Sequence, residues 1–557
     1  KANFGFDQRI ARRNTFFDLE TQIGQLNQGR ATQRLIENNN YLFELTLDYN
    51  KVIAEKHKLN LLGGYSYQRF TNSGFNASAQ EFPTTAFGPN NLGAGNPAQF
   101  QLGSTRGENT LISGFGRINY SYDERYILTG SFRADGSSRF GTNNKVAYFP
   151  SGAVAWNINN ESFFPEDTFV SNLRLRASYG LSGNQEIANG QSLVLLESGP
   201  IAVLDGLELQ SIAPAQLSNP NLQWETTESF NIGIDFGFLS NRISGTMEYF
   251  RNDTRDLLLF LPVPTTTGFT QSLQNVGDTR NSGFELSIAS RNLVGEFSWT
   301  TDFNLATLQN EVTNLGDLPR ILQGGARFVN DFTLLEVGSP INSYYGFVFD
   351  GVFQSEEEVA SSAAQNNAAV GGRKFQDTNG DNVINDEDRV ILGNPLPDLT
   401  FGFNNTFSYK GFNLDVFIEG KTGFELANFT NIDSENPIDD LRNRQTYVLD
   451  RWTPQNPTNE QPSFANPSRA YDFNSRVVED ASFIRLRSAR VSYAFPNLNL
   501  RGISSLLIYA SGQNLATWTD YRGFNPDVNS LGNSNVRIDY SAYPLAKIYS
   551  IGLNVKF

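Results

Sequence analysis

Tyr41-Leu42-Phe43-Glu44-Leu45-Thr46-Leu47-Asp48-Tyr49 is the stretch that decides the fold. Side chains alternate sides along extended backbone, so Tyr41, Phe43, Leu45, Leu47 and Tyr49 share one face of a strand. Leu42, Glu44, Thr46 and Asp48 take the other. The same period returns at Leu173, Leu175, Ala177, Tyr179 and Leu181, set against Arg174, Arg176, Ser178 and Gly180. It returns again at Phe230, Ile232, Ile234, Phe236 and Phe238, and the chain closes on Tyr549, Ile551, Leu553, Val555 and Phe557. A helix needs apolar residues three and four apart, and no long segment shows that spacing. The chain reads as all-β.

Alternation alone does not say which face is inside. A sandwich buries its apolar face, whereas a transmembrane barrel turns that face to lipid and keeps polar residues within. Strands of about ten residues, as a tilted membrane crossing requires, favour the barrel. So do aromatic residues repeated at strand ends. The composition agrees: 557 residues contain 45 Phe, 21 Tyr and 5 Trp, yet the mean hydropathy is −0.37. A barrel reconciles the two because only every second strand residue meets lipid. The longest strongly apolar run, Leu257–Val263, is too short for a transmembrane helix. No cysteine is present, which excludes disulfides, thiolate metal sites and a cysteine nucleophile, and one histidine makes a histidine-based triad or multi-histidine metal site untenable. A net charge of −15 argues against nucleic acid. No linker divides the chain, and Lys1 enters strand-like sequence directly, with no initiator Met or leader. The sequence therefore reads as processed or truncated.

Connections between strands alternate in length. Short turns are expected near Tyr122–Arg125, Leu239–Asn241, Asn292–Glu296, Lys410–Gly411 and Pro496–Gly502. Long ones are expected near Thr71–Asn109, Asn184–Asn221, Asp253–Asp278, Thr422–Asp480 and Thr519–Tyr543. If short turns lie on the periplasmic side, strand direction must alternate without exception. Only Tyr344–Phe353 breaks the count, so Asn310–Asp398 is assigned to one long external excursion. About 16 strands result, within residues 1–557.

From Tyr120 onward a series of motifs occurs in order: Arg133-Ala-Asp-Gly-Ser-Ser-Arg-Phe-Gly141, Phe149-Pro-Ser151 with Trp156, and Leu173-Arg-Leu-Arg-Ala-Ser-Tyr-Gly-Leu-Ser-Gly-Asn184. Asn219-Pro-Asn-Leu-Gln-Trp-Glu-Thr226, Asn275-Val-Gly-Asp278, Asn281-Ser-Gly-Phe-Glu-Leu286 and Phe375-Gln-Asp-Thr-Asn-Gly-Asp381 follow. Phe483-Ile-Arg-Leu-Arg487, Ser511-Gly-Gln-Asn-Leu515 and Tyr521-Arg-Gly-Phe-Asn-Pro526 complete the series. In this order they resemble the SusC/RagA-like TonB-dependent outer-membrane transporters of Bacteroidetes. The resemblance implies import of a bulky nutrient such as an oligosaccharide or peptide, energised by an inner-membrane TonB–ExbB–ExbD complex. It also implies a SusD-like surface lipoprotein as a hinged lid, and no catalysis. Barrels of this family are similar to 22-stranded ones, a size that needs a plug. This chain departs from the pattern: it contains no TonB box, plug or N-terminal domain, and about six strands are missing upstream. It reads as the C-terminal part of a longer barrel. A passive porin and a soluble all-β glycan-binding protein or hydrolase are the rival readings.

Several residues are candidates for particular roles. Tyr549, Ile551, Leu553, Val555 and the terminal Phe557 resemble the signal strand that the outer-membrane assembly machinery recognises. Asp377, Asn379, Asp381, the Val383 carbonyl, Asn385 and Asp388 occupy positions 1, 3, 5, 7, 9 and 12 of a calcium loop, where hard oxygen donors converge on Ca2+. Position 6 is Asn382 instead of Gly, and position 12 is Asp instead of Glu. Its ion would be structural. Trp452, Trp518, Tyr521 and Tyr543 lie in or beside long loops, where they either pack the rim or stack against sugar rings. Arg133, Arg139, Arg174, Arg176, Arg485 and Arg487 alternate with apolar residues, and several of them are expected to line a wet interior. Asp135–Ser138 reads as a rim turn, and His57, between two lysines, as exposed.

Overall fold

The computed structural model describes every residue except 166–167, 205–206, 327–328, 436–442, 466–471, 496–501 and 533–535. Sixteen strands of 9 to 24 residues form its framework. They are β1 Ala2–Phe17, β2 Arg30–Ile53, β3 His57–Gln80, β4 Gln101–Tyr122, β5 Tyr126–Ser137, β6 Val146–Asn157, β7 Val170–Asn184 and β8 Glu225–Phe238. Then come β9 Ile243–Arg255, β10 Asp278–Leu293, β11 Phe297–Thr307, β12 Leu399–Tyr409, β13 Phe412–Thr422, β14 Phe483–Ala494, β15 Ser505–Thr519 and β16 Ile548–Lys556. Internal packing divides the chain into two compact units. One comprises Lys1–Trp156, Ser178–Ser229 and Thr254–Val276; the other comprises Asn157–Ala177, Phe230–Asp253 and Gly277–Phe557.

In the first unit, β1 to β6 pair antiparallel in chain order. The register sets Phe4 beside Phe43, Phe43 beside Tyr67 and Tyr67 beside Ile112, so one face becomes a continuous apolar surface. That face is the exposed one: Tyr41, Phe43, Leu45, Leu47 and Tyr49 all stand clear of the protein. Large apolar side chains ranked outward along whole strands are the pattern of a surface meeting lipid, since water would penalise them. At one end of this face Tyr122 stacks on Tyr126 at 6.5 Å and Tyr126 on Trp156 at 6.4 Å. His57 joins the row. Its Nδ1 lies 2.7 Å from the Tyr120 hydroxyl and its ring 5.0 Å from Tyr122. The expectation of a merely exposed histidine is corrected here, because the β3–β4 register carries the ring into an aromatic girdle.

The long connection expected over Thr71–Asn109 is mostly strand. β3 continues to Gln80 and β4 starts at Gln101, pairing Thr71 with Glu108 and Ser78 with Gln101. These extensions are largely polar, with Phe75 and Leu102 as isolated exposed apolar residues, as strand rising above a membrane would be. Beyond β5 and β6, Phe140, Phe149, Leu222, Trp224 and Leu273 make a small dry core, and the Trp224 indole donates to the Lys145 carbonyl at 3.1 Å.

In the second unit, β10 to β16 also pair antiparallel in chain order. Gln309–Asn314 pairs with β10 as well, so the excursion leaves the framework at Leu315, not Asn310. Tyr344–Phe353, whose place in the count was anomalous, contributes two four-residue strands to small sheets with Val329–Glu336, Val390–Gly393 and Arg373–Phe375. Phe332 and Tyr344 pack with Phe429, Ile432, Phe473 and Ile538 from later connections, in a dry core of the unit. The tight turns follow their residues. Lys410 and Gly411 both have positive φ, the two-residue turn that suits strand twist. Leu239–Asn241 and Asp123–Glu124 likewise adopt positive φ. The turn expected at Pro496–Gly502 lies largely outside the described residues.

One irregularity governs facing. Between Leu486 and Ser488, β14 carries one residue more than β13, while β15 carries one more than β14 between Gln513 and Ala516. Before the bulge Arg485 faces Glu419, on the polar side; after it Val491 faces Leu414, on the apolar side. An extra residue in one strand shifts its alternation by one, and Arg487 is that residue.

Candidate functional site

The polar face carries charge in matched sets. In the first unit Arg133 pairs with Asp135 at 2.7 Å, donates to Ser113 at 2.8 Å and lies over the Phe115 ring. In the second, Arg176 sits between Asp235 at 3.1 Å and Glu248 at 2.6 Å. Arg485, 3% exposed, donates to Glu419 at 3.2 Å, to Thr517 at 3.1 Å and to Asn525 at 2.8 Å. Asp527 accepts from both Lys421 and Arg537, at 2.9 and 2.8 Å. Each guanidinium or ammonium is thus neutralised by a nearby carboxylate, on the same strand for Arg133, in the same connection for Arg537 and on another strand or connection for the rest, which lowers the cost of holding it in a half-buried position. A recess of about 410 Å³ opens on this face, lined by Glu248, Glu285, Glu419, Lys421, Phe401 and Phe417 among others. It offers three carboxylates, one ammonium and the Phe417 ring to a solute, whereas the Phe401 ring lies over Gly420 on the opposite side of the sheet.

Of the six arginines among which interior ones were expected, Arg133, Arg176 and Arg485 line the polar face as described. Arg139 instead ties a connection down, donating to the Gln185 carbonyl at 2.8 Å and to Asn189 at 3.2 Å. Arg487 bonds Asn514 at the bulge at 2.6 Å, and Arg174 occupies the row of Arg176.

A second polar assembly lies among the connections of the second unit. Glu479 accepts from Asn428 at 3.1 Å, Asn431 at 2.8 Å and Arg522 at 2.9 Å. Glu435 accepts from Arg476 at 2.9 Å, with Arg373 3.9 Å away. Burial and the Glu435 charge push the Tyr447 phenol up to about 12, so it acts here as a neutral donor to Asn431. These carboxylates and guanidinium groups hold the long connections in one arrangement.

The four aromatic residues singled out for stacking are not gathered at one place. Tyr521 is 5% exposed, packed with Phe424, Leu426, Ala481 and Phe483, and its hydroxyl donates to Asp539 at 2.8 Å. It has no open face, which corrects its assignment as a stacking residue. Trp518 pairs with Ile484 on the outward, apolar side of β15, where a girdle ring belongs. The Trp452 indole donates to Gln354 at 2.9 Å and its ring abuts Gly371. Tyr543, 92% exposed, is the one with both faces free.

Asp377–Asp388 forms the tight turn its spacing implies, with Gly380 and Asn382 at positive φ. Asp377 accepts from the Gly380 and Asn382 amides at 2.7 and 2.8 Å, and Asp381 from Val383 at 2.8 Å. Asp388 is fully buried, and its two oxygens accept from Thr378 and Asn385, both at 2.9 Å, closing the turn on itself. Partial desolvation opposes ionisation of Asp377, but the Asn382, Gly380 and Asp381 amides outweigh it and hold its carboxyl below the ordinary range. The carboxylates thus serve the backbone first. Among the described residues no group of three or more acidic, histidine or cysteine side chains converges as a metal site.

Tyr549, Ile551, Leu553 and Val555 share the outward face of β16 and pair with Gly512, Ala510, Ile508 and Leu506 of β15. Ile551 is 87% exposed, and Phe557 follows the strand. The acid-rich recess was not anticipated. Its signal was nonetheless in the sequence, as acidic residues at polar-face positions of β9, β10 and β13.

The family model described as "TonB dependent receptor-like, beta-barrel" matches residues 1–367, more than half of the chain. TonB-dependent receptor P3 of Formosa agariphila is 35% identical over 570 aligned residues, covering 100% of this chain and 56% of that protein. TonB-dependent receptor SusC of Bacteroides thetaiotaomicron is 30% identical, covering 81% of this chain and 44% of its own length. Among solved structures, the RagAB peptide importer in its closed-closed state superposes with a TM-score of 0.83 at 26% identity, over 100% of this chain and 60% of that one. Its open-open state gives the same TM-score and identity. The chain therefore spans little more than half the length of the relatives it matches. Among the described residues no helix is long and apolar enough to cross a membrane, and the crossing elements are strands with their apolar faces turned out. By sequence, architecture and facing, the chain belongs to the TonB-dependent receptor β-barrel family of the outer membrane.

Proposed function

We propose that this chain builds most of the wall of an importer that carries a bulky nutrient, an oligosaccharide or a peptide, across the outer membrane. The carrying observation is the pairing of a continuous outward apolar face with an ion-paired polar face that holds an acid-rich recess. TonB–ExbB–ExbD supplies the energy through parts of the protein that precede this chain. A SusD-like surface lipoprotein covers the outer mouth, and the protein catalyses no reaction. The likeness to SusC and to a peptide importer supports this reading. A passive porin shares the wall but needs neither partner.

The test uses the full-length protein in its host. Uptake of labelled peptide and oligosaccharide libraries is measured with and without tonB and with and without the adjacent lipoprotein gene. Uptake that depends on both supports the importer; uptake indifferent to tonB makes the protein a porin.

Two finer assignments belong to this reading. The β16 residues Tyr549, Ile551, Leu553, Val555 and Phe557 act as the assembly signal, so deleting Phe557 is expected to lower the folded outer-membrane fraction. The Asp377–Asp388 turn takes one structural Ca2+. Calorimetry on the whole transporter should then detect Ca2+ uptake that Asp377→Asn with Asp381→Asn removes, and no uptake in the parent withdraws the ion.

A further inference from the structure

We infer that the polar face of β1, β2 and β3, where these strands extend beyond Tyr41, binds an anionic oligosaccharide. Its sulfate or carboxylate groups lie on a track made by Arg9, Arg13, Arg34 and Arg30. The inference rests on the importer reading and narrows its substrate class.

The first observation is register. β1 pairs with β2, and β2 with β3, along their whole lengths without a bulge, so the alternation set by Tyr41 and Phe43 carries to the strand ends. Arg34 therefore shares the polar face with Glu44 and Thr46, and Arg13 pairs directly with it. Arg9 lies opposite Asn38 and Arg30 opposite Phe17, each four residues from the Arg13–Arg34 pair. Four residues of strand span about 13 Å, so positive charge recurs every ~13 Å over about 26 Å.

The second observation is charge without a counter-charge. Lower on the polar face arginines are held by carboxylates, as Arg176 is by Asp235 and Glu248. Among the described residues none of these four is so held. Across residues 7–17, 30–40 and 70–80 this face carries the four arginines and one carboxylate, Asp7, on a chain of net charge −15. Arg13 and Arg34 stand directly opposite, with their Cβ atoms about 5 Å apart, and like charges so placed destabilise a strand pair. An anion between them reverses that sign. Each guanidinium presents a planar fork of donors that takes the oxygens of an acid group two at a time.

The third is access and the company the arginines keep. The connection after β3 folds over the opposite face, where Gln33 donates to the Pro89 carbonyl at 2.7 Å and Phe82 packs on Ala31 and Ala79. The polar face stays open, with Arg9, Arg13, Arg34, Asn72 and Asn76 exposed. Asn72 pairs with Asn38, and Asn76 with Arg34. Side-chain amides both donate and accept, as sugar hydroxyls do. The main chain of β2 is already engaged on both sides, by β1 and β3, so an extended peptide gains no ladder of backbone bonds here. The face thus suits an acidic glycan better than an acidic peptide.

The test uses full-length transporter in detergent, titrated calorimetrically with chondroitin sulfate hexasaccharide, hexagalacturonate, maltohexaose and hexaglutamate. At least one of the two acidic glycans should bind, and maltohexaose and hexaglutamate should bind at least about tenfold more weakly. Arg13→Gln and Arg34→Gln should each weaken glycan binding about tenfold. Arg12→Gln, on the opposite face of β1 beside Leu35, should leave it unchanged. Desulfation of the chondroitin hexasaccharide separates the two acid groups: binding that vanishes assigns sulfate, and binding that survives assigns carboxylate. Heat-modifiable gel mobility verifies that each variant is folded. Failure of both acidic glycans to bind overturns the inference. So does equal binding of hexaglutamate or maltohexaose, or binding by the Arg13→Gln, Arg34→Gln double variant at wild-type strength. Uptake is measured separately with and without tonB. If uptake ignores tonB while glycan binding follows this pattern, the importer reading falls and the arginine track stands; tonB-dependent uptake with no acidic-glycan binding does the reverse.

Discussion

Replacing Leu45 by arginine probes the facing on which every other inference depends. Leu45 lies on the outward face of β2, four residues from Tyr41 and four from Tyr49. Each interval is about 13 Å of strand, or about 10 Å in depth at a tilt near 40°, which places Leu45 close to the bilayer midplane. An arginine at midplane on a barrel's lipid face costs about 2–4 kcal/mol. At 1.36 kcal/mol per tenfold, the folding equilibrium falls about 30- to 900-fold. Thr46, one residue on, points to the polar side opposite Gly64, where an arginine stays hydrated. The pair Leu45→Arg and Thr46→Arg thus differs in facing and almost nothing else. Full-length protein is folded into vesicles across a urea series, and the folded fraction is read from its heat-modifiable gel mobility. Leu45→Arg should shift the midpoint strongly and Thr46→Arg within error of wild type. Equal shifts, or a shift in Thr46→Arg alone, would mean that the two faces have been exchanged and the barrel reading is wrong.

Arg485→Ala strips the half-buried Glu419 of its cation and should cost about 2–3 kcal/mol, with Glu419→Gln in the same chain recovering part of the loss in a double-mutant cycle. Gly411→Ala forces a Cβ to within 2.4 Å of the Ala494 carbonyl at φ +89 and should destabilise the β12–β13 turn by about 1–3 kcal/mol, read as a lowered unfolding midpoint. Burial raises the Asp539 carboxyl above its ordinary 3.8, so the unfolded connection ionises first. Its contribution is therefore greatest below pH 3.8 and is lost as pH rises through the raised value. Asp539→Asn should flatten that part of the pH profile of hydrogen exchange across the Tyr521–Asp539 contact.

The membrane portion was legible because a bilayer enforces period two, and β2, β7, β8 and β16 keep it without a break. The extensions of β3 and β4 beyond Thr71 and before Asn109 were not, since largely polar strand outside a bilayer has no reason to alternate. Tyr521 shows a different limit. An aromatic residue in a long connection looks the same in sequence whether it is exposed or, as here, sealed beneath Phe424 and Phe483 by contacts from distant segments. His57 was misjudged from its lysine neighbours, because only the register against β4 brings Tyr120 and Tyr122 to it. The Asp377–Asp388 spacing foretold a turn, and the turn is there. Spacing says nothing, however, about whether the carboxylates point at each other or at the backbone.

The surplus residue at Arg487 makes that point of β14 the one place where the strand can lose a residue and keep its facing. With Leu486 and Ser488 made neighbours, ordinary alternation through Phe483–Leu486 and Ser488–Ala494 still sets Arg485 on the polar side and Val491 on the apolar side. What such a deletion removes is the Arg487–Asn514 hydrogen bond and the match to β15, which carries an additional residue of its own between Gln513 and Ala516. A single deletion in a regular stretch of the strand has the opposite effect, because it exchanges the two faces of everything beyond it.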